Sequence, residues 1–164
     1  MKIKKSTGII FSIFVTATSF LAPYRVSAQE TRAEKEISNI NTQFINYVNT
    51  QDIKGILSEY APEIKSINPD GSVNNYQGIS EGLAKAFKYV KKLKYTKNKE
   101  EFKILSQTMV LCTWTGTVEI ELQSGQKMKN YPHIASLLFT KVNNSWKIVY
   151  EHTSEAPPKM DGNQ

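Results

Sequence analysis

The sequence predicts an α+β domain in which about three N-terminal helices pack against one face of a curved antiparallel sheet. Three observations support this class. Apolar residues recur at helical spacing over residues 37–60, a strict strand alternation fills residues 110–122, and everything after Leu93 reads as sheet. Helices segregated to one face of a bent sheet are typical of an α+β layout. Such a sheet encloses a conical space, and a pocket remains wherever side chains do not fill it.

The first helix is predicted from one apolar face, made by Ile37, Ile40, Phe44, Tyr47 and Val48. Asp52 is a good N-cap for a short second helix. We expect that helix to end at Ala61-Pro62, because the residue before a proline is pushed out of helical geometry.

A short strand, a turn at Pro69-Asp70-Gly71 and a loop or second short strand are predicted next. Ser80 is predicted to cap a third helix over residues 81–93. The inner face of this helix would carry Leu83, Phe87 and Val90.

Long antiparallel strands follow. The strand at residues 110–122 is half-buried, and Gly116 in its middle marks a place to bend or bulge. Turns are predicted at Gln123–Lys127 and at Asn143-Asn144. After the second turn, alternation places Trp146, Ile148, Tyr150 and His152 on one inward face of the final strand.

Residues 1–28 have the three parts of a secretory signal peptide. Lys2, Lys4 and Lys5 precede an apolar stretch that ends in the small residues Val26-Ser27-Ala28. The stretch is short for an uncleaved transmembrane anchor, which is the alternative. We predict cleavage after Ala28, a single domain over residues 29–156, a loose tail at 157–164, and an exported protein, periplasmic or secreted.

Export changes the charge of the chain. The full sequence carries +6, but residues 1–28 hold four of the 21 basic residues and none of the 15 acidic ones, so the mature chain carries 17 − 15 = +2. A nucleic-acid partner is therefore not expected, nor is stable membrane insertion after cleavage. Cys112 is the sole cysteine, so no internal disulfide forms, and its apolar neighbours indicate a buried structural residue.

Three stretches resemble the SnoaL-like branch of the nuclear-transport-factor-two-like superfamily: "NTQDIKGILSEYAPEIKSINPDGS", "YQGISEGLAKAF" and "SLLFTKVNNSWKIVYEHTS". Together they span nearly all of residues 34–155. The resemblance implies a cone-shaped, cystatin-like α+β barrel with a pocket at its wide end and a homodimer formed through the outer sheet face. Members include isomerases, dehydratases, polyketide cyclases and transport or assembly modules, so fold alone does not give function.

His152 is the polar residue of most interest near the strand end. The histidine at the matching position of the family faces the cavity, and an imidazole suits general acid/base chemistry. A histidine that merely orients the strand end is the alternative. His133 is expected at the same end of the hairpin, but no third ligand accompanies the pair, so no metal site is predicted.

The predicted ligand pocket consists of aromatic and histidine side chains: Phe44, Tyr60, Tyr76, Phe87, Trp114, His133 and His152. The aromatic members could equally be plain core. A catalytic carboxylate is harder to identify. Asp52 is explained by capping, Asp70 by its turn, and Glu119 and Glu121 by a polar strand face. No cofactor motif is present.

Eight lysines between Lys85 and Lys103 form a basic segment that is either a solvated face or a surface for an anionic partner. We therefore carry three functional hypotheses. The first is an exported binding protein for a small apolar or amphipathic molecule. The second is an acid/base lyase or isomerase using His152 and a pocket tyrosine. The third is a dimeric protein-interaction module.

Overall fold

The computed structural model describes residues 22–155. Residues 1–21, with most of the predicted signal peptide, and residues 156–164, with the predicted tail, lie outside the described residues. The predicted cleavage point after Ala28 falls within the first two turns of the first helix.

Three helices and six strands make up the described chain: α1 (Ala22–Asn49), α2 (Ile53–Glu59), β1 (Tyr60–Ile67), β2 (Val73–Asn74), α3 (Tyr76–Phe87), β3 (Val90–Ser106), β4 (Met109–Leu122), β5 (Lys127–Val142) and β6 (Ser145–Glu155). The strands form one open sheet in the order β2-β1-β6-β5-β4-β3. The predicted α+β class, with three helices packed against a curved sheet, is confirmed. The sheet is mixed, because β1 runs parallel to β6 while every other pair is antiparallel.

The cap of α2 is as predicted. Asp52 Oδ1 accepts a hydrogen bond from the Gly55 backbone N–H at 2.9 Å, which satisfies one of the free amides of the first turn. The helix ends at Glu59, slightly earlier than the proline suggested, and Pro62 lies inside β1.

The boundaries of α3 differ from the prediction. The helix begins at Tyr76, and its cap is Asn75, whose side chain accepts from the Gly78 N–H at 2.9 Å. Ser80 therefore lies one turn inside the helix. The helix stops at Phe87, and the chain is already in β3 at Val90, because pairing with Leu122 of β4 takes the place of another helical turn.

The predicted turn at Asn143-Asn144 is present, whereas the bulge predicted at Gly116 lies in the partner strand. Asn143 and Asn144 have positive φ angles of 50° and 63°, the left-handed conformation that a two-residue hairpin turn requires. Gly116 is packed so closely that a Cβ there would collide with the Thr96 carbonyl of β3. The bulge itself is in the partner strand, at Asn98, next to the glycine.

The helices cover the inner face of the sheet, and the core lies between them. Its fully buried side chains include Ile37 from α1, Ile56 from α2 and Phe139 from β5. A polar link ties α1 to the sheet: the Asn41 amide donates to Glu100 Oε1 at 2.9 Å and to Cys112 Sγ at 3.3 Å. Cys112 is buried, as predicted, and burial raises the pKa of its thiol to about 12.

No helix in residues 22–155 is both long enough and apolar enough to cross a bilayer.

Candidate functional site

A cavity of about 370 Å³ lies between the inner face of the sheet and helices α1 and α3. Its apolar walls come from α1, α2 and α3 and include Phe44, Val48, Ile56, Ile79 and Leu83. Its polar wall comes from the sheet and includes Tyr60, Ser66, Tyr95, Trp114, His133, Glu151 and Thr153. A cavity with one apolar side and a few convergent polar groups is typical of a small-molecule site.

One extra residue in β6 decides which side chains reach this cavity. Ile148 pairs with Phe139 of β5, and Tyr150 pairs with Leu138, so two steps along β6 match one step along β5. Val149 is the surplus residue of a β-bulge. Beyond it the alternation is inverted: Trp146 and Ile148 point inward, but Tyr150 does not continue their face.

The inversion brings Glu151 into the cavity wall. Its Oε2 atom accepts hydrogen bonds from Tyr60 Oη at 2.9 Å and from Ser66 Oγ at 3.0 Å. Burial raises the pKa of the Glu151 carboxyl, and the two hydrogen bonds only partly counteract this effect. Burial and the neighbouring carboxylate also raise the pKa of Tyr60 well above its usual value.

His133 and Trp114 form the second polar part of the wall. The His133 ring lies 4.9 Å from the Tyr95 ring and 5.4 Å from the Trp114 ring, measured between centroids. Burial lowers the pKa of His133 to about 4, so the imidazole is neutral at pH 7. Within the described residues, neither His133 Nδ1 nor Trp114 Nε1 has a hydrogen-bond partner.

Those two atoms are unusual, because nearly all buried polar atoms in folded proteins are paired. Trp114 is 3% exposed and His133 is 8% exposed, so bulk water does not compensate them. The indole N–H can only donate, whereas a neutral imidazole nitrogen donates or accepts according to its tautomer. Both side chains line the cavity, so their unused hydrogen-bonding capacity lies beside it.

The predicted pocket residues divide into two groups. The structure places Phe44, Tyr60, Trp114 and His133 in the cavity wall. Phe87 instead packs at the margin of the core. Tyr76 lines a separate shallow depression with Leu57 and Pro62, and its hydroxyl donates to the Leu57 carbonyl at 3.3 Å.

The predicted inward position of His152 is wrong. Its side chain is exposed on the outer face of the sheet, because the bulge at Val149 reverses every residue that follows. His133 and His152 lie on opposite faces of the sheet, and Ser136 is the residue that pairs with His152. No group of three metal-ligating side chains occurs anywhere in the described residues.

Sequence reasoning missed Glu151, Ser66 and Tyr95. Glu151 was assigned to the outer face by an alternation that assumed a regular strand. The sequence held no signal for its inward position, because that position depends on the bulge at Val149.

Chemically, the site can hold an amphipathic molecule and can exchange a proton with it. The apolar wall buries a hydrocarbon or ring system, and the Trp114 N–H can donate to an acceptor. Because burial raises the pKa of the Glu151 carboxyl, this pKa is closer to neutral pH, where a group can both accept and return a proton.

The comparisons agree with this architecture. A profile of the SnoaL-like domain family matches residues 37–158. Among curated protein sequences, none matches the chain.

Several solved structures share the fold. A nuclear transport factor 2 (NTF2-like) superfamily protein from Salmonella enterica has a TM-score of 0.71 and 16% identity, covering 82% of this chain and 99% of its own. A hexachlorocyclohexane dehydrochlorinase from Novosphingobium barchaimii has a TM-score of 0.72 and 7% identity, with coverages of 80% and 91%. An uncharacterised protein with a cystatin-like fold from Caulobacter vibrioides has a TM-score of 0.66 and 16% identity, with coverages of 76% and 90%.

At these identities the likeness concerns the fold alone, while the family profile covers most of the described domain. The curved sheet, the three covering helices and the matched residues 37–158 lead to one conclusion: the chain belongs to the SnoaL-like domain family, and it shares the fold of nuclear-transport-factor-two-like proteins.

Proposed function

We propose that this protein binds a small amphipathic molecule in the cavity, with the apolar part against α1 and α3 and the polar part against the sheet. The observation that carries the proposal is the pair of buried, unpartnered atoms His133 Nδ1 and Trp114 Nε1 in the cavity wall. An unpaired buried polar group costs about 1–3 kcal/mol. A ligand that supplies the missing partners recovers that free energy on binding.

Native mass spectrometry of the exported protein tests for a retained molecule, and a fluorescent probe tests the cavity directly. The probe is 1-anilinonaphthalene-8-sulfonate, which combines an aromatic body with an anionic acceptor. We expect Trp114→Phe to weaken probe binding by about tenfold, because one hydrogen bond to a charged acceptor is lost.

Trp146→Phe is the matched control. It also removes one buried indole N–H, but Trp146 lies outside the cavity, where its Nε1 donates to Glu36 at 2.9 Å. Equal losses in the two variants would contradict the proposal, since the effect would then follow from general loosening of the fold.

A second candidate function is acid/base catalysis, as in a lyase or isomerase, and the buried Glu151 carboxyl favours it. We propose Glu151 as the base in place of the exposed His152. It would take a proton from a carbon of the bound molecule, while the Trp114 N–H stabilises the charge that develops on an oxygen. One structurally similar protein is named a dehydrochlorinase, which is compatible with such chemistry.

Exchange of carbon-bound hydrogen for deuterium separates catalysis from binding. The molecule recovered from the cavity is incubated with the protein in D₂O, and its mass is followed. We expect Glu151→Gln to stop deuterium uptake while the probe still binds, and the exposed variant His152→Gln to leave uptake unchanged. Uptake that persists in Glu151→Gln would exclude the carboxylate as the base.

We also propose a homodimer formed through the outer face of the sheet. Leu111, Leu138 and Tyr150 lie side by side across β4, β5 and β6 on that face, and Ile134 nearby is 43% exposed. Sedimentation velocity tests this. Leu138→Asp should yield monomers, whereas Val73→Asp, at the far edge of the sheet, should not.

Export is the remaining proposal, and residues 1–28 support it. The N-terminal mass of the protein recovered outside the cytoplasm tests it. A chain that begins at Gln29 is the expected result.

A further inference from the structure

One end of the sheet carries an exposed aromatic ring among lysines. There the joint between α3 and β3 meets the β4–β5 hairpin, since the Gln123 N–H donates to the Tyr89 carbonyl at 2.8 Å. Tyr89 is 63% exposed, and Met128 at the start of β5 is 38% exposed. We call this region the basic end and define it by these residues: Lys88, Tyr89, Lys91, Lys92, Lys94, Glu119, Glu121, Lys127, Met128 and Lys129.

The charges of the basic end do not cancel. It holds six lysines against two glutamates, an excess of four, although the whole predicted mature chain carries only +2. Lys91 and Lys127 share Glu121 at 2.7 and 3.6 Å, and Lys94 pairs with Glu119 at 3.2 Å. In the described residues, no carboxylate forms an ion pair with the other three lysines, which are Lys88, Lys92 and Lys129.

Protection of a sheet edge explains only part of this pattern. Lysines on an edge strand prevent pairing with other chains, and β3 is an edge strand. Lys127 and Lys129 lie at the start of β5, where this strand pairs with β4 but not with β6, whose pairing with β5 begins at His133, so edge protection accounts for these lysines too. An exposed tyrosine ring, however, does nothing to protect an edge, and neither does the exposed Met128 side chain. These two side chains require another explanation.

We propose that the basic end docks onto the surface of an anionic phospholipid bilayer. Lysines gain affinity from negatively charged head groups, and a tyrosine is suited to the boundary between head groups and acyl chains because its ring is apolar and its hydroxyl polar. A soluble polyanion would attract the same lysines but would leave Tyr89 and Met128 without a role. The combination of cations with exposed apolar side chains therefore favours lipid.

This docking is compatible with the other proposed surfaces. None of the residues that define the basic end lines the cavity. Ile134, in the proposed dimer face, lies five residues after Lys129 along β5, which corresponds to roughly 17 Å of strand. Membrane docking can thus be tested whether or not the cavity binds a ligand.

The test measures co-sedimentation of the processed protein with vesicles. The N terminus of that protein is first determined by mass spectrometry. The vesicles contain either phosphatidylcholine alone or phosphatidylcholine with 40% phosphatidylglycerol. We expect binding only to the anionic vesicles and release at high salt, because a Debye length near 3 Å at 1 M salt screens the attraction. The triple variant Lys88→Gln, Lys92→Gln, Lys129→Gln should bind on the order of a hundredfold more weakly, at about fivefold for each lysine.

The matched control is Lys35→Gln, Lys54→Gln, Lys65→Gln, which makes the same change in net charge at exposed lysines of α1, α2 and β1. It should retain most of the wild-type binding. Tyr89→Ser should weaken vesicle binding severalfold while leaving binding to soluble polyphosphate unchanged. Any of three results would overturn the proposal. The first is absence of vesicle binding, and the second is equal losses in the two triple variants. The third is tighter binding to polyphosphate than to vesicles, together with no effect of Tyr89→Ser on vesicle binding.

Discussion

Acid should destabilise this protein through His133, and the size of the effect follows from its burial. The pKa of His133 is lowered to about 4 in the folded chain, against 6.5 for an ordinary histidine. The unfolded chain therefore binds a proton at a higher pH than the folded chain does. The stability associated with the neutral imidazole is complete above pH 6.5 and is lost as the pH falls through 4.

The magnitude can be worked out from these two pKa values. Relative to neutral pH, the contribution of His133 to the free energy of unfolding falls by about 1 kcal/mol at pH 5.5 and by about 2 kcal/mol at pH 4.5. His133→Gln removes the titrating group and keeps a polar side chain. The difference in unfolding free energy between wild type and this variant should therefore decrease by those amounts.

Urea unfolding followed by tryptophan fluorescence at several pH values provides the assay, since Trp114 and Trp146 are both buried. Subtracting the unfolding free energy of the variant from that of wild type cancels the contributions of the other titrating groups, including Glu151. His152→Gln is the matched control, because that histidine is exposed on the neighbouring strand. A difference that does not change between pH 7 and 4.5 would mean that His133 is not desolvated and is in contact with water.

Three further predictions concern the cavity and its supports. Because burial raises the pKa of Glu151, its contribution to stability is present below pH 4.5 and is lost as the pH rises through its folded value, so Glu151→Gln should gain stability over wild type as the pH rises above 4.5 in the same urea assay. Gly116→Ala should cost about 2 kcal/mol, measured by urea unfolding, because its Cβ meets the backbone carbonyl of Thr96; a neutral result would mean that β3 moves freely. Asp52→Ala should cost about 1 kcal/mol by losing the bond to the Gly55 N–H, with Asp52→Asn as the variant that retains the cap.

Features that depend on local chemistry could be predicted from the sequence. Asp52 caps α2 because a carboxylate satisfies free amides, and Asn143-Asn144 form the last turn because asparagine tolerates the left-handed conformation. The long alternation of apolar and polar residues around Trp114 predicted a strand in a sheet with one buried face. These signals depend on neighbours within a few residues, so they can be read without knowing the fold.

The face of the last strand was decided only by the tertiary structure. A bulge costs little locally and leaves no mark in the composition, yet at Val149 it exchanges the positions of Glu151 and His152. It forms where β6 must pair at once with β5 and with an irregular β1 that contains Pro62, a residue without a backbone N–H. The identity of the buried ionisable group therefore depends on packing across three strands, which no single segment of sequence encodes.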